Sequence, residues 1–233
     1  KSRRDIAAAY GVSATWIPPR ASVQTLADRI SPYGTVLPQG EQDVWVSAPL
    51  KVHRRCDDPM FSLCNRIAYN GIMVNGVPKP RAKDAAVDPF EDTGTGPAVA
   101  WSYWADEPAT TPGTHLQMGQ VKRLEKALEY LDEKGVDPSR VIAISPFRDV
   151  SNHLRQLVDR KKYPGLQAGT IHTAQGREAD VVILVLGGDP ASPGAKAWAA
   201  STVNLVNVAA SRARRRLYVI GDRSEWSGHR YFS

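Results

Sequence analysis

Two stretches of this 233-residue chain carry residue types suited to holding phosphate oxygens. The first is Gly169–Gly187, GTIHTAQGREADVVILVLG, where Thr170, Ile171, His172 and Thr173 precede Gln175, Gly176, Arg177 and Glu178 and then an apolar run. Hydroxyls and amides at the carboxyl end of a strand can bind phosphate oxygens, and a glycine such as Gly176 lets the backbone approach a ligand closely. By spacing alone, the same residues also read as a polar loop joining two strands. The second stretch is Val203–Arg216, VNLVNVAASRARRR. At about 100° per residue on a helix, Asn204, Asn207, Ser211 and Arg214 share one polar arc. Arg212 falls instead between Leu205 and Val208, on the apolar side and at the carboxyl end. An arginine there is costly unless it snorkels or meets an anion. Helix-end cations that complement the helix dipole account well for Arg214, Arg215 and Arg216, and poorly for Arg212.

Other chemistries find less support. No GxxxxGK[ST] occurs in the chain. The nearest imitation, GDPASPGAK at Gly188–Lys196, has the wrong spacing, two prolines and no Ser or Thr after the lysine; Gly94-Thr95-Gly96 runs into Pro97. Backbone amides in such segments do not form the nest that wraps a β-phosphate, so nucleotide hydrolysis by this chain alone is not expected. His172 has no carboxylate–His–nucleophile order around it that would make it a catalytic base. Neither a GxGxxG nor a nucleophile signature points to a small-molecule enzyme on a doubly wound sheet. Cys56 and Cys64 lack the spacing of a zinc site and read as small core residues in a reducing, intracellular setting. Trp101 and Trp104 are stacking candidates for bases, although packing is the commoner use.

The elements that must position the two stretches alternate. The first 45 residues read as a connector, with a short helix around Ser22–Ile30 among proline-containing loops. Val44–Leu50 is a short apolar segment, followed by HRRCDDP and a helix over Asp58–Tyr69 with Pro59 in its first turn. Residues 71–97, rich in Gly, Pro and Asp, form an irregular excursion. Strands are expected at Ala98–Trp104, Val141–Ser145, Gln167–Ile171, Val181–Leu186 and Leu217–Ile220. Helices are expected at Leu116–Lys134, Asp149–Arg160 and about Lys196–Arg214. VVILVL shows no polar alternation, as expected of a parallel strand covered on both faces, and strand–helix repetition implies a parallel sheet flanked by helices.

Composition agrees with a globular chain: 42% of residues are hydrophobic and 23% charged. The net charge of +6 is unevenly placed. Residues 1–116 hold 12 Lys+Arg and 12 Asp+Glu, and residues 117–233 hold 18 and 12, so the excess that permits a polyanion partner lies in the second half. No apolar run approaches the roughly 18 residues of a membrane span. The opening KSRRDIAAAYG has no signal-peptide core and no initiator Met, which suggests a processed or cut chain.

Taken together these segments resemble the second RecA-like domain of a superfamily 1 helicase, in the branch that includes the RNA-surveillance helicase and the DNA-replication helicase-nuclease. TIHTAQGRE resembles motif V of that family and VNVAASRARRRLYVIGD its motif VI. LKVHRRCDDPMFSLCNRIAYNG resembles the segment that opens the second domain, where an arginine precedes a proline-containing helix; here that arginine is Arg55. AISPFRDV resembles the TPY segment that touches the nucleic-acid strand, with Val150 where the family often has Gln. The likeness covers about residues 46–70 and 140–222, and its four blocks fall in family order. It implies an α/β fold, a RecA-like parallel sheet flanked by helices: the P-loop NTPase fold lacking its own phosphate loop, with an irregular insertion at about 71–115. Residues 1–45 would connect from a first RecA-like domain, and residues 46–233 would form the second.

The family resemblance also implies roles. Arg212 and Arg55 would act as arginine fingers on the γ-phosphate of an ATP shared, with Mg, between the two domains, and no cofactor is expected on this chain alone. Gln175, Gly176 and Glu178 would contribute to the nucleotide site, with Glu178 accepting from a ribose hydroxyl. Ser145, Thr170, His172 and Thr173 would touch the backbone of single-stranded DNA or RNA. The implied function is the C-terminal motor domain of an ATP-dependent, cytoplasmic helicase whose partners are the strand and the first RecA-like domain, not a membrane. The alternative is a non-catalytic RecA-like nucleic-acid-binding module.

Overall fold

The computed structural model describes residues 3–13, 22–39, 42–47, 51–78, 88–161, 163–173, 176–201 and 203–233. The chain divides into two compact units, Lys1–Lys51 and Val52–Ser233. In the first, helices α1 (Arg3–Ala9) and α2 (Val23–Ile30) precede an antiparallel pair, β1 (Gly34–Gln39) and β2 (Gln42–Ser47), in register from Gly34↔Ser47 to Gln39↔Gln42. The Ser22 hydroxyl caps α2 by accepting from the Thr25 N–H at 3.1 Å. Asp28 Oδ1 on α2 accepts from both the N–H and the hydroxyl of Ser47, at 2.9 and 2.7 Å, so helix and hairpin are joined by a carboxylate.

The second unit opens with β3 (Val52–His53), helix α3 (Met60–Ala68) and β4 (Val74–Asn75), which pairs in parallel with β3. Pro59, expected in the first turn of a helix over Asp58–Tyr69, stands at the N-cap of α3 instead. Strand β5 is Tyr103–Asp106, helix α4 is Met118–Glu133, β6 is Val141–Ser145 and α5 is Arg148–Lys161. Then follow β7 (Gln167–Thr170), β8 (Ala179–Val185), α6 (Pro193–Ala199), α7 (Val203–Arg212), β9 (Ala213–Gly221) and α8 (Arg223–Trp226). The main sheet is five-stranded in the order β5-β9-β8-β6-β7, and every pairing in it is parallel. This is the RecA-like α/β arrangement the sequence implies.

The central strands explain themselves. All five residues of β6 are buried, as are six of the seven in β8, because helices cover both faces. Helix α4 buries Val121, Leu124, Leu128 and Leu131, a 3.6-residue stripe in which each side chain stabilises by about 1.5–3 kcal/mol. It ends where Gly135 takes φ +73° and the Val136 N–H turns back to the Leu131 carbonyl. Helix α3 packs on α7, with the Cys64 thiol 3.8 Å from the Asn207 carbonyl; both cysteines are buried, as their reading as core residues requires.

Three expectations are corrected. The strand expected at Ala98–Trp104 lies at Tyr103–Asp106, because Ala98 and Ala100 give their carbonyls to side chains instead of a ladder. The single helix expected over about Lys196–Arg214 is two helices, the second ending at Arg212. Residues 213–221 are extended, with Arg216, Tyr218 and Ile220 buried at a period of two, so Arg214 sits on a strand and not on the polar arc of a helix. The stretch of about 71–115 expected as an insertion includes Tyr103–Asp106, which forms the β5 edge of the main sheet.

Candidate functional site

The turn after β3 is closed by His53, whose Nε2 accepts from the Cys56 N–H at 3.1 Å and lies 3.0 Å from the Cys56 sulfur. Cys56 is buried within this turn while Arg54 and Arg55 stay exposed. The Asp57 N–H donates to the Arg214 carbonyl at 2.8 Å, tying the turn to the junction of α7 and β9. Glu178, one residue before β8, collects two guanidiniums there: Oε1 is 2.6 Å from Arg55 Nε, and Oε2 is 3.1 Å from Arg214. Three distant segments, near residues 55, 178 and 212, therefore meet at one place.

Arg212 is the last residue of α7 and only 5% exposed. One Nη donates to the Arg177 carbonyl at 2.7 Å, but its Nε is buried with no hydrogen-bond partner. Among the described residues no carboxylate forms an ion pair with it. Burial first, and then the positive charge of Arg55, lower the Arg212 pKa from its ordinary value, while Glu178 acts in the opposite direction. An arginine remains charged nonetheless. A desolvated guanidinium with an unmatched N–H, beside two further arginines that share one carboxylate, is a cationic locus fitted to an anion.

The same cluster makes stability depend on pH. Burial first, and then Arg55, hold the His53 imidazole below its ordinary value, against the raising influence of Glu178. The unfolded chain then binds the proton more readily than the folded one. The stability that neutral His53 provides is therefore intact above about pH 6.5 and is lost as pH falls below it. Urea unfolding is expected to show a lower midpoint near pH 5.5 than near pH 7.5. His53→Gln should flatten that difference, and an unchanged pH dependence in this variant would exclude His53 as its source.

The residues expected to contact a strand are only partly gathered. Thr170 ends β7, and its hydroxyl accepts from the Thr173 N–H at 3.1 Å while the Thr173 hydroxyl donates to the Thr170 carbonyl at 3.0 Å. This closed turn presents His172 and Thr173 to solvent. His172 also borders a cavity of about 370 Å³ with Trp198, Asn204 and Leu205. Ser145 does not join them. It is fully buried, its hydroxyl accepts from the Phe147 N–H at 3.3 Å, and Phe147 is stacked on His115 at 3.9 Å. A hydroxyl with no exposed surface closes the strand end and does not meet a phosphate. Val150, at the position where the related segment often has Gln, is core. Gly176 takes φ +90°, a conformation that glycine adopts at no steric cost, and Gln175 lies outside the described residues. Sequence reasoning placed Arg214 on a polar helical arc and at the helix end, without a place beside Glu178, and gave no role to Arg155 or to the Arg177 side chain; the charge excess of the second half was the only signal for the last two.

Three curated relatives match parts of the chain. DNA polymerase alpha-associated DNA helicase A of Saccharomyces cerevisiae is 31% identical over 119 residues, 51% of this chain and 17% of the relative. A probable helicase of Dictyostelium discoideum is 28% identical over 163 residues, 68% of this chain and 16% of the relative. Regulator of nonsense transcripts 1 of Caenorhabditis elegans is 24% identical over 189 residues, 77% of this chain and 17% of the relative. The matches thus span about one sixth of the relatives' length. No helix among the described residues is long and apolar enough to cross a membrane. Residues 39–224 match the family model described as an AAA domain, and with the parallel sheet and the relatives above this means that the chain belongs to that AAA-domain family of superfamily 1 helicases.

Proposed function

We propose that this chain is the C-terminal motor domain of an ATP-dependent nucleic-acid helicase, and that it supplies arginine fingers to an ATP site completed by a first RecA-like domain. The observation that carries the reading is the buried Arg212 guanidinium, whose Nε has no partner and which stands beside Arg55 and Glu178. Bound between the domains, ATP with Mg supplies the phosphate charge on which such a cluster acts. Arg212 and Arg55 donate to γ-phosphate oxygens, the planar forked guanidinium being matched to phosphate geometry. Glu178 accepts from a ribose hydroxyl with the Gly176 turn beside it, and one of the two arginines it now holds is released to the phosphate. At the edge strand β7, Thr170, His172 and Thr173 contact the backbone of a single strand.

The test is ATP turnover in the full-length protein carrying Arg212→Ala: a large loss supports the finger role, and unchanged turnover refutes it. The chain alone is expected to hydrolyse no ATP and to bind single strands weakly, with log affinity falling as log salt rises. Salt-independent binding would contradict the electrostatic reading, and hydrolysis by the chain alone would contradict the shared site.

A further inference from the structure

Strand β7 forms one edge of the main sheet, and Gly169 within it permits an unusually close approach. A Cβ at that position would lie 2.4 Å from Thr173 Oγ1 and 3.5 Å from Arg155 Nη2. The missing side chain is therefore what lets the Thr170–Thr173 turn fold back over its own strand. Doing so it encloses a polar pocket of about 230 Å³ against α5, walled by Arg155, Gln167, Gly169, Thr173 and Arg177.

Both arginines of this pocket are held in place by neutral groups. Arg155 Nε donates to the Ala168 carbonyl at 3.3 Å, and its Nη1 to Asn152 Oδ1 at 3.2 Å. Arg177 Nη1 donates to Gln167 Oε1 at 2.8 Å. Among the described residues neither guanidinium has a carboxylate within ion-pairing distance, unlike Arg55, Arg140, Arg214 and Arg215. Two like charges brought to one pocket repel, and an anion between them reverses the sign of that interaction. Neutral tethers also reduce the ordering cost of gripping a ligand, because the forks are already placed. Arg177 offers only its side chain here; its carbonyl faces the other way, towards Arg212.

We infer that the Arg155 and Arg177 guanidiniums, in the pocket that Thr173 walls, hold one backbone phosphate of a single strand running across the Thr170–Thr173 turn. The inference rests on the reading of that turn as a strand contact. The chemistry recognised is a phosphate oxygen pair, and it belongs to a phosphodiester and not to a free anion. The pocket adjoins a turn that exposes His172 and Thr173, and a polymer can meet pocket and turn at once.

The experiment is fluorescence anisotropy of a labelled oligothymidylate with the full chain, repeated between about 50 and 200 mM salt. The double variant Arg155→Gln/Arg177→Gln is expected to make the log affinity–log salt slope shallower by roughly 0.7, one phosphate's worth. Thr173→Glu, which puts a carboxylate into the pocket and leaves both guanidiniums tethered, should give the same loss, whereas Lys126→Gln on exposed α4 should leave the slope unchanged. A change of roughly 1.4 in the double variant would mean two separate phosphates and overturn the shared pocket. Wild-type binding with an unaltered slope in the variants would overturn the pocket alone, and no wild-type binding at low salt would overturn the strand reading with it. A second arm compares thermal melting in inorganic phosphate and in chloride at matched ionic strength. Equal melting is expected; a phosphate-specific rise abolished in the double variant would assign the pocket to a free anion and overturn the strand assignment.

Discussion

Substituting Arg212 by alanine in the full-length protein is expected to cut strand-stimulated ATP turnover by about 10³–10⁵-fold while ATP binding stays near wild type. The asymmetry follows from where the charge is needed. A guanidinium aimed at oxygens that gain charge in the transition state stabilises that state more than the ground state, so its removal appears in turnover first. Arg212→Lys should rescue little. A lysine could donate to the Arg177 carbonyl or reach a phosphate, but it lacks the second arm with which the arginine does both. Arg212 is buried, and its loss leaves the Arg177 carbonyl without its donor, so a folding defect needs a separate control. Arg55→Ala supplies it. The Arg55 side chain is 48% exposed and its pairing with Glu178 is a surface interaction worth little to the fold. If both arginines act on one charge, the double variant should lose far less than the product of the single effects. Full multiplicativity, or wild-type turnover in either single variant, would separate them from a common site.

How much of this was legible beforehand depended on the range of the interaction. The buried strands Val141–Ser145 and Ala179–Val185 stood out because parallel strands covered on both faces need no polar alternation, a purely local signature. The paired strands Gly34–Gln39 and Gln42–Ser47 did not, since Pro38 and the glutamines within them weaken the strand signal that their pairing overrides. The run Ala98–Trp104 looks like a strand from its apolar residues, yet the Ala98 carbonyl is taken by Tyr130 and the Ala100 carbonyl by Arg216 and Tyr218, contacts that no local pattern announces. At the site, Arg212 was legible as a cation on an apolar helical stripe. That Arg55 and Glu178 would stand beside it came from resemblance, because no spacing rule links residue 55 to residue 178. Ser145 came by the same route: its segment matches, but its hydroxyl is buried, and the Phe147 whose N–H it accepts is stacked on His115 from a different part of the chain.

The largest expected loss of stability lies away from the cation cluster, at Arg216. This residue is 2% exposed on β9 and makes no direct ion pair among the described residues. Its Nε donates to the Ala100 carbonyl at 3.0 Å, one Nη to the Arg215 carbonyl at 2.9 Å and the other to the Phe90 carbonyl at 2.8 Å. The guanidinium carbon lies 4.4 Å from the Trp101 ring centroid and 5.5 Å from that of Phe90. Burial lowers its pKa from the ordinary value. One side chain thus fastens the irregular segment from Phe90 to Trp101 onto the sheet, where Tyr218 also donates to the Ala100 carbonyl at 2.6 Å. Arg216→Met keeps much of the volume but strips donors from buried carbonyls, and is expected to cost on the order of 3–5 kcal/mol. Phe90→Ala opens a cavity under the same clasp at a cost of about 3–5 kcal/mol. Because the two groups share contacts, the double variant should lose less than the sum. Urea unfolding followed by circular dichroism measures all three. A loss below about 1 kcal/mol for Arg216→Met would mean that the carbonyls find water or other donors, and that the segment is held by its aromatic packing alone.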